Sequence, residues 1–494
     1  MAYLTPGVYV EEISSGEKPI AGVGTGTGGF VGIAERGPIG EAVLITSATQ
    51  YASVFGGYVS GWYMPYAVEQ FFKEGGSKCY VVRTVNYNDA SINDHTALSS
   101  AADVGTGLSI TATSPGTWGD SISVSLEAPT DGSLTEGFKL IVWSGTTSLE
   151  EFDNLTFDNL VATDASQYVI VTGTAAPTVP TTATTLTGGN DGLTGITQDD
   201  FLGSSASGAK NGLYGFDPID GVNMIAMPDI HFADPVGEGD TLYGISEGLI
   251  YCENRKDCFF IGDVPSGTTP AEAKLFKTTV GGFSSSYGAL YYPWVYSTFG
   301  VSRVLMPPSG AVMGMISRTD ASRGVFKAPA GVIDGKLKSI NGLELQISHG
   351  EQEELNPVGV NVIRFFAGPG NVVWGARTCS SGVDAEWHYI NVRRYFMYIE
   401  ETLDEASQWV VFEPNTPALW GSVKRNFVAF LTNEWRAGAL FGNVAEEAFY
   451  VKVDAENNPP SVRNLGQLII EIGIAPVKPA EFVIIRISQK VQTS

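Results

Sequence analysis

Cysteine, histidine and basic residues are all scarce in this 494-residue chain, and each scarcity removes a class of function. Four cysteines, Cys79, Cys252, Cys258 and Cys379, do not amount to a disulfide framework and fit a reducing compartment. Cys252 and Cys258 could sit side by side at a helix end, but no histidine or second cysteine pair lies near them to complete a zinc site. The histidines His95, His231, His349 and His388 are scattered, with no H-x-x-x-H pair, and His388 beside Trp387 reads as structural. Lys and Arg number 29 against 53 Asp and Glu, a net charge of −24, which argues against nucleic acid or an anionic membrane surface as partner. No apolar run reaches the length of a membrane span, and the first residues lack the basic start and apolar stretch of a signal peptide. The expectation is cytoplasmic assembly without direct membrane insertion.

Catalytic motifs are missing as well. There is no G-x-x-x-x-G-K-[ST] phosphate loop and no G-x-S-x-G elbow, although Ser284-Ser285-Ser286 supplies hydroxyls. Gly24-Thr25-Gly26-Thr27-Gly28-Gly29 matches G-x-G-x-x-G in form, but the dinucleotide motif leaves a strand and opens a helix, whereas here a strand follows. The run reads as a glycine linker. Glu351, Glu353 and Glu354 read as a solvated charged face. The expectation is no enzyme, no metal and no cofactor.

What the chain does have is apolar content for real cores, 43% of residues with 11% aromatic, enough for about three or four domains. Residues 88–210 form a foreign block, with fifteen acidic residues against Lys139 and Lys210. Their short periodic segments (Leu108–Ala112, Ser121–Leu126, Phe138–Trp143, Tyr168–Thr172) predict an acidic all-β insertion, with Ala176–Thr187 a solvated loop. On either side, at 21–87 and 211–349, strands and helices alternate. Strands are expected at Gly29–Ala34, Cys79–Arg83, Asn223–Met227, Cys258–Gly262 and Ala289–Val295, and helices over Tyr63–Glu74, Thr241–Asn254, Pro270–Thr279 and from Pro308-Ser309. This predicts one discontinuous α/β domain. From 350 to 475 two amphipathic helices, Glu386–Ser407 and Thr416–Leu440, precede strands at Phe449–Val453 and Leu468–Ile472, an α+β domain. Its second helix carries the apolar stripe Leu419, Val423, Phe427, Phe430, Leu431 and Trp435.

Both ends read as single strands set off by proline: Val8, Tyr9, Val10, Glu11, Glu12 and Ile13 in an arm and linker over 1–20, and Phe482, Val483, Ile484, Ile485, Arg486 and Ile487 in an arm over 476–494. A lone strand leaves its N–H and C=O groups unpaired, so each either completes its own sheet or adds to the edge of another molecule.

The residues also resemble a known family. Thr5-Pro6-Gly7-Val8-Tyr9-Val10-Glu11-Glu12, Phe30-Val31-Gly32, Arg36-Gly37-Pro38, Phe55-Gly56-Gly57, Phe71-Phe72-Lys73-Glu74-Gly75-Gly76 and Val82-Arg83 are similar to the N-terminal signature of contractile tail sheath proteins. Ala328-Pro329-Ala330-Gly331, Gly359-Val360-Asn361, Trp374-Gly375-Ala376-Arg377-Thr378, Tyr389-Ile390-Asn391-Val392-Arg393-Arg394, Phe412-Glu413-Pro414-Asn415 and Pro476-Val477-Lys478-Pro479 agree with it in type and order. Residues 88–210 lie outside the resemblance. It implies a multidomain sheath fold in which terminal arms of neighbouring subunits complete the sheet of the C-terminal domain. It also implies rings, usually of six subunits, stacked around an inner tube, with baseplate and terminal cap proteins as further partners. The linkers around Gly16, Pro19, Pro476 and Pro479 would act as hinges. The C-terminal domain would face the tube, with Lys424, Arg425 and Arg436 as candidate contacts, and the insertion would face outward. A phage tail and a bacterial injection particle fit equally, as does a non-contracting cap or baseplate-proximal relative.

Overall fold

The computed structural model describes residues 20–88, 95–104, 107–134, 136–173, 175–206, 208, 210–233, 240–280, 282, 284–482 and 484. They divide into two compact units. The larger comprises residues 25–322 and 329–390; the smaller comprises residues 391–494 and 323–328, with the described residues up to Gly24.

The larger unit is organised by an eight-stranded sheet in the order Gly370–Val373, Val360–Phe366, Gly288–Tyr292, Phe259–Asp263, Met224–Ala226, Gly28–Gly32, Cys79–Arg83, Ala42–Ile45. The inner strands run parallel, and each edge strand is antiparallel to its neighbour. Burial on both faces explains why the central strands are continuous apolar runs such as Phe259-Phe260-Ile261. The glycine-rich run read as a linker instead enters the middle of this sheet. Gly28 and Gly29 open its central strand, where a Cβ on Gly29 would stand 2.9 Å from Val222 and one on Gly32 2.6 Å from the Asp229 carboxylate. Close approach, not flexibility, calls for glycine there.

The strand expected at Ala289–Val295 is split. Gly288–Tyr292 joins the large sheet, while Val295–Phe299 pairs with Ser302–Met306 and Ile340–Leu343 in a small sheet of its own. Val360–Phe366 and Gly370–Val373, assigned from sequence to the C-terminal segment 350–475, belong to the large sheet, so the smaller unit starts at Asn391. Cys252, in the helix Asp240–Arg255, and Cys258, just before the strand Phe259–Asp263, are both buried with their Sγ atoms 3.4 Å apart. No metal-binding group of three side chains occurs among the described residues.

A buried polar network ties this unit together. Glu74, only 1% exposed at the end of the helix Met64–Glu74, pairs with Arg318 at 2.8 Å and accepts the Ser339 N–H at 2.7 Å. Neighbouring Gln70 donates to Ser297 Oγ at 2.8 Å.

The insertion is all β, as its alternation predicts: one sheet of Thr184–Thr185, Ile122–Glu127, Phe138–Ser144 and Thr147–Leu155, another of Ala101–Val104, Leu108–Ala112 and Val169–Gly173. They close over one core that includes Leu108, Ile110, Val124, Phe138, Leu140 and Leu186. Thr184-Thr185 is thus an edge strand and Leu186 is core, not solvated loop. The module joins the body through a two-stranded neck, Leu98 against Asn190 and Ala101 against Thr187. Residues 196–210 fall outside it, because Ile196, Phe201 and Leu202 pack into the core of the body. Arg83 pins the junction by donating to the carbonyls of Gly37 and Pro115 at 3.1 and 2.8 Å, and the Arg36 guanidinium lies 5.4 and 5.3 Å from the Trp118 and Tyr168 rings.

Among its described residues the smaller unit has two long helices, Ile390–Ser407 and Pro417–Arg436, and one antiparallel pair of strands, Phe449–Lys452 with Glu471–Ile474. Thr416 caps the second helix and Pro417 occupies its first turn, where a missing N–H costs nothing. Its expected stripe is the core: Val423, Phe427, Phe430 and Leu431 are buried with Tyr395, Ile399 and Leu403 of the first helix. The last strand begins at Glu471 rather than Leu468. The buried Asn458 amide takes up the backbone of Ile469 instead, Ile469 N–H to Oδ1 at 2.7 Å and Nδ2 to Ile469 O at 2.9 Å.

Replacing Glu74 by Ala leaves the Arg318 guanidinium without its carboxylate and is expected to lower unfolding free energy by about 3 kcal/mol in denaturant titrations. A second expectation concerns acid. Burial pushes the Asp263 carboxyl up to about 7 from an ordinary 3.8, so between those values the folded chain holds a proton that the unfolded chain has released. Stability therefore falls as pH rises through that window, by up to ~1.4 kcal/mol per pH unit. Asp263→Asn keeps an oxygen for the Ser309 N–H, and it should remove this share of the slope when melting is followed from pH 4 to 7.5.

Candidate inter-subunit interface

In an α/β sheet with parallel inner strands, chemistry belongs at the carboxyl ends of the strands, and here two acids stand there. Both are committed to backbone. Asp229 accepts the N–H groups of Ile33 and Met64 at 2.9 and 3.1 Å, and that of Tyr63. Asp263 accepts that of Ser309 at 2.9 Å, at the start of the helix Ser309–Arg323. Burial outweighs the three donors at Asp229 and holds its carboxyl at about 6. A cleft of about 600 Å³ beside the insertion is lined by Arg36, Pro38, His95 and Ser114. Its polar groups are likewise tied to backbone: Ser114 Oγ accepts the Gly37 N–H at 2.9 Å, and His95 Nδ1 lies 3.0 Å from Ala97 O. These acids and side chains brace loops and helix starts.

The smaller unit is different, because among the described residues it presents strand edges without a ladder partner and exposed apolar side chains. Among the described residues its sheet has two strands, and such a pair is marginal without further strands or a packed face. One face is packed: Phe449 and Val451 are buried against the helices, with Ile472 and Ile474 beside them. On the other face Tyr450 donates to Glu471 at 2.9 Å and covers Gly473, where a Cβ would stand 2.2 Å from the ring. Around this ribbon Phe441, Leu465 and Ile469 are exposed.

Of the arm residues, Val8, Tyr9, Val10, Glu11, Glu12, Ile13, Val483, Ile485, Arg486 and Ile487 lie outside the described residues, as do Gly16 and Pro19. Phe482 and Ile484 are described and are 72% and 78% exposed. Pro476, expected as a hinge, is held in place: it bridges Leu440, with Phe441 N–H to Ala475 O at 2.8 Å and Val477 N–H to Ala439 O at 3.2 Å. Pro479 follows two residues after that clasp.

Lys424, Arg425 and Arg436 are all exposed on the helix Pro417–Arg436. Their spacing brings Arg425 and Arg436, eleven apart, onto one line of the helix and sets Lys424 about 100° round from Arg425. The sequence reading missed a further feature between the two helices. Phe412 is fully exposed and holds φ 70°, a left-handed backbone that a side chain with Cβ rarely adopts. The signal was available: Val411-Phe412 is an apolar pair just before Glu413-Pro414, outside either helical stripe.

The model of the phage tail sheath protein central domain matches residues 247–379, and that of the phage tail sheath C-terminal domain matches residues 383–490. The tail sheath protein of Vibrio phage KVP40 is 28% identical over 192 residues, 39% of this chain and 28% of that protein. That of Enterobacteria phage T4 is 23% identical over 246 residues, 46% of this chain and 36% of that protein. The chain therefore matches well under half the length of these curated relatives. Among solved structures, the anti-feeding prophage helical sheath in its contracted state superposes with a TM-score of 0.61 at 24% identity, covering 99% of this chain and 100% of that one. The sheath tail protein from Listeria innocua gives 0.66 at 15% identity, covering 93% and 94%. At these identities the likeness is one of fold. With the central and C-terminal domain models falling in order over residues 247–490, that part of the chain matches the phage tail sheath family, and the chain shares the fold of the solved sheath proteins.

Proposed function

We propose that this chain is the structural subunit of a contractile sheath, polymerised as stacked rings of six around an inner tube. The observation that carries the reading is the two-stranded ribbon of the smaller unit, Phe449–Lys452 with Glu471–Ile474, in a chain whose two ends are each patterned as one more strand. Strand addition supplies affinity through ladder hydrogen bonds and register through alternate side chains. The donors are Val8–Ile13 of one neighbour and the strand from Phe482 of another. The clasp at Pro476 moves the C-terminal pivot outward to Pro479, and Gly16 to Pro19 supplies the N-terminal one.

Contraction then needs no nucleotide. A sheath assembled in a strained, extended state relaxes by burying more surface between subunit bodies, while the strand mesh carries the motion from ring to ring. About 1 kcal/mol per subunit corresponds to ~40 Å² of apolar burial and becomes large when hundreds of subunits switch together. Arg425 and Arg436, with Lys424 beside them, face the tube, and the acidic insertion faces outward. Baseplate and cap proteins close the two ends, in a phage tail or a tail-like particle.

Negative-stain electron microscopy of the purified chain, beside one lacking residues 1–13, tests the reading. Tubes or rings are expected from the full chain and monomers from the truncated one. Equal polymerisation of both, or monomers from the full chain, would sink strand exchange as the link between subunits.

A further inference from the structure

The smaller unit holds the root of the N-terminal arm by three contacts of different kinds. Ile20 packs into the core that contains Tyr395, Ile399 and Phe430. Val23 N–H donates to the hydroxyl of buried Thr402 at 3.2 Å. Between them the backbone at Gly22 lies on the Tyr398 ring: a Cβ there would stand 2.1 Å from the hydroxyl oxygen and 2.8 Å from two ring carbons. Tyr398 cannot swing aside freely. Its hydroxyl donates to Glu434 Oε1 at 3.1 Å and that of Tyr395 to Oε2 at 3.2 Å, so one carboxylate on the facing helix fixes both rings.

The root of the C-terminal arm is held by the same helix. Asn391 Nδ2 donates to Val477 O at 3.3 Å, and to Phe326 O at 2.8 Å. Tyr398 and Thr402 lie seven and eleven residues after Asn391, which at 100° per residue keeps both within about 20° of one line through Asn391 along the helix. The two anchors are therefore separated by about 10–16 Å along that line.

We propose that this stripe of the helix Ile390–Ser407 is a bracket that sets the roots of both arms at a fixed separation, with Gly22 the residue that positions the N-terminal one. The pivots then lie outside the bracket, before Ile20 and after Val477. The inference rests on the reading of the arms as inter-subunit strands. Register in a strand mesh has a period of two residues, so an arm root that slips by one residue turns its whole side-chain pattern to the wrong face. A bracket removes that freedom before neighbours meet.

A bump-and-hole experiment on the full-length chain tests it, comparing the parent, Gly22→Val, Tyr398→Ala and the double variant. Hydrogen exchange at the Val23 amide, measured on unassembled protein, reads the anchor. Electron microscopy of assemblies reads its use, and thermal melting checks that the body is intact. Gly22→Val should speed Val23 exchange by at least about tenfold and cut the yield of ordered tubes, with the main melting transition unchanged. Removing the ring in the double variant should restore both. Unchanged exchange in Gly22→Val, or a double variant that exchanges as fast, overturns the anchor. Normal tubes from a chain whose anchor is lost overturn its role in assembly. A parent chain that forms no tubes refutes the sheath reading instead, and the exchange data still decide the bracket.

Discussion

The apolar seam between the helices Ile390–Ser407 and Pro417–Arg436 is the contact on which the smaller unit depends. Tyr395, Ile399 and Leu403 meet Val423, Phe427 and Phe430 there, and the inward side chains of the strand ribbon complete the cluster. Burial of apolar area holds surfaces together without choosing direction. It can support a ribbon of only two strands, but it cannot say which strand comes next. Direction comes from the N–H and C=O groups along the edges of that ribbon, which bond only along fixed lines. Cohesion and direction are thus supplied by different physical terms, one at the packed face and the other at the edges of one small sheet.

The larger unit does the reverse and closes itself off. Its inner strands are buried on both faces, and each antiparallel edge strand caps the parallel series. The acids that an enzyme of similar topology would keep for substrate are engaged by backbone N–H groups, Asp229 by three of them. Glu74 and Arg318 join elements that hydrophobic packing alone would let slide. A body of this kind suits a part that must be carried as a rigid piece.

What the sequence revealed was local. A short apolar run marked Cys79–Arg83, a short periodic segment marked Phe138–Ser144, and a 3.6-residue period marked the stripe from Val423 to Leu431, because those patterns record which sides of an element are buried. What stayed hidden was set by distant partners. Gly28-Gly29 reads as a loop until Val222 and Phe216 are seen pressing against it. Val360–Phe366 lies in the segment that starts near Gly350, and nothing in its pattern says that its neighbour is Gly288–Tyr292. The start of the last strand is delayed by one buried side chain, Asn458, which imitates a backbone partner. In the smaller unit the exposure of Lys424, Arg425 and Arg436 was legible from the helical period. The fastening of Pro476 and the fit of Gly22 on Tyr398 were not, since each depends on a residue far away in the chain.

The neck of the acidic insertion carries a consequence of its own. Leu98 and Asn190, then Ala101 and Thr187, cross it as an antiparallel pair, so the chain leaves the body and returns to it one strand spacing apart. Beyond that point the module has its own core and shares no strand with the eight-stranded sheet. Any domain whose two ends meet as a hairpin would satisfy the same doorway. The insertion can therefore be exchanged wholesale, in evolution or by grafting, while the body it grows from keeps its fold.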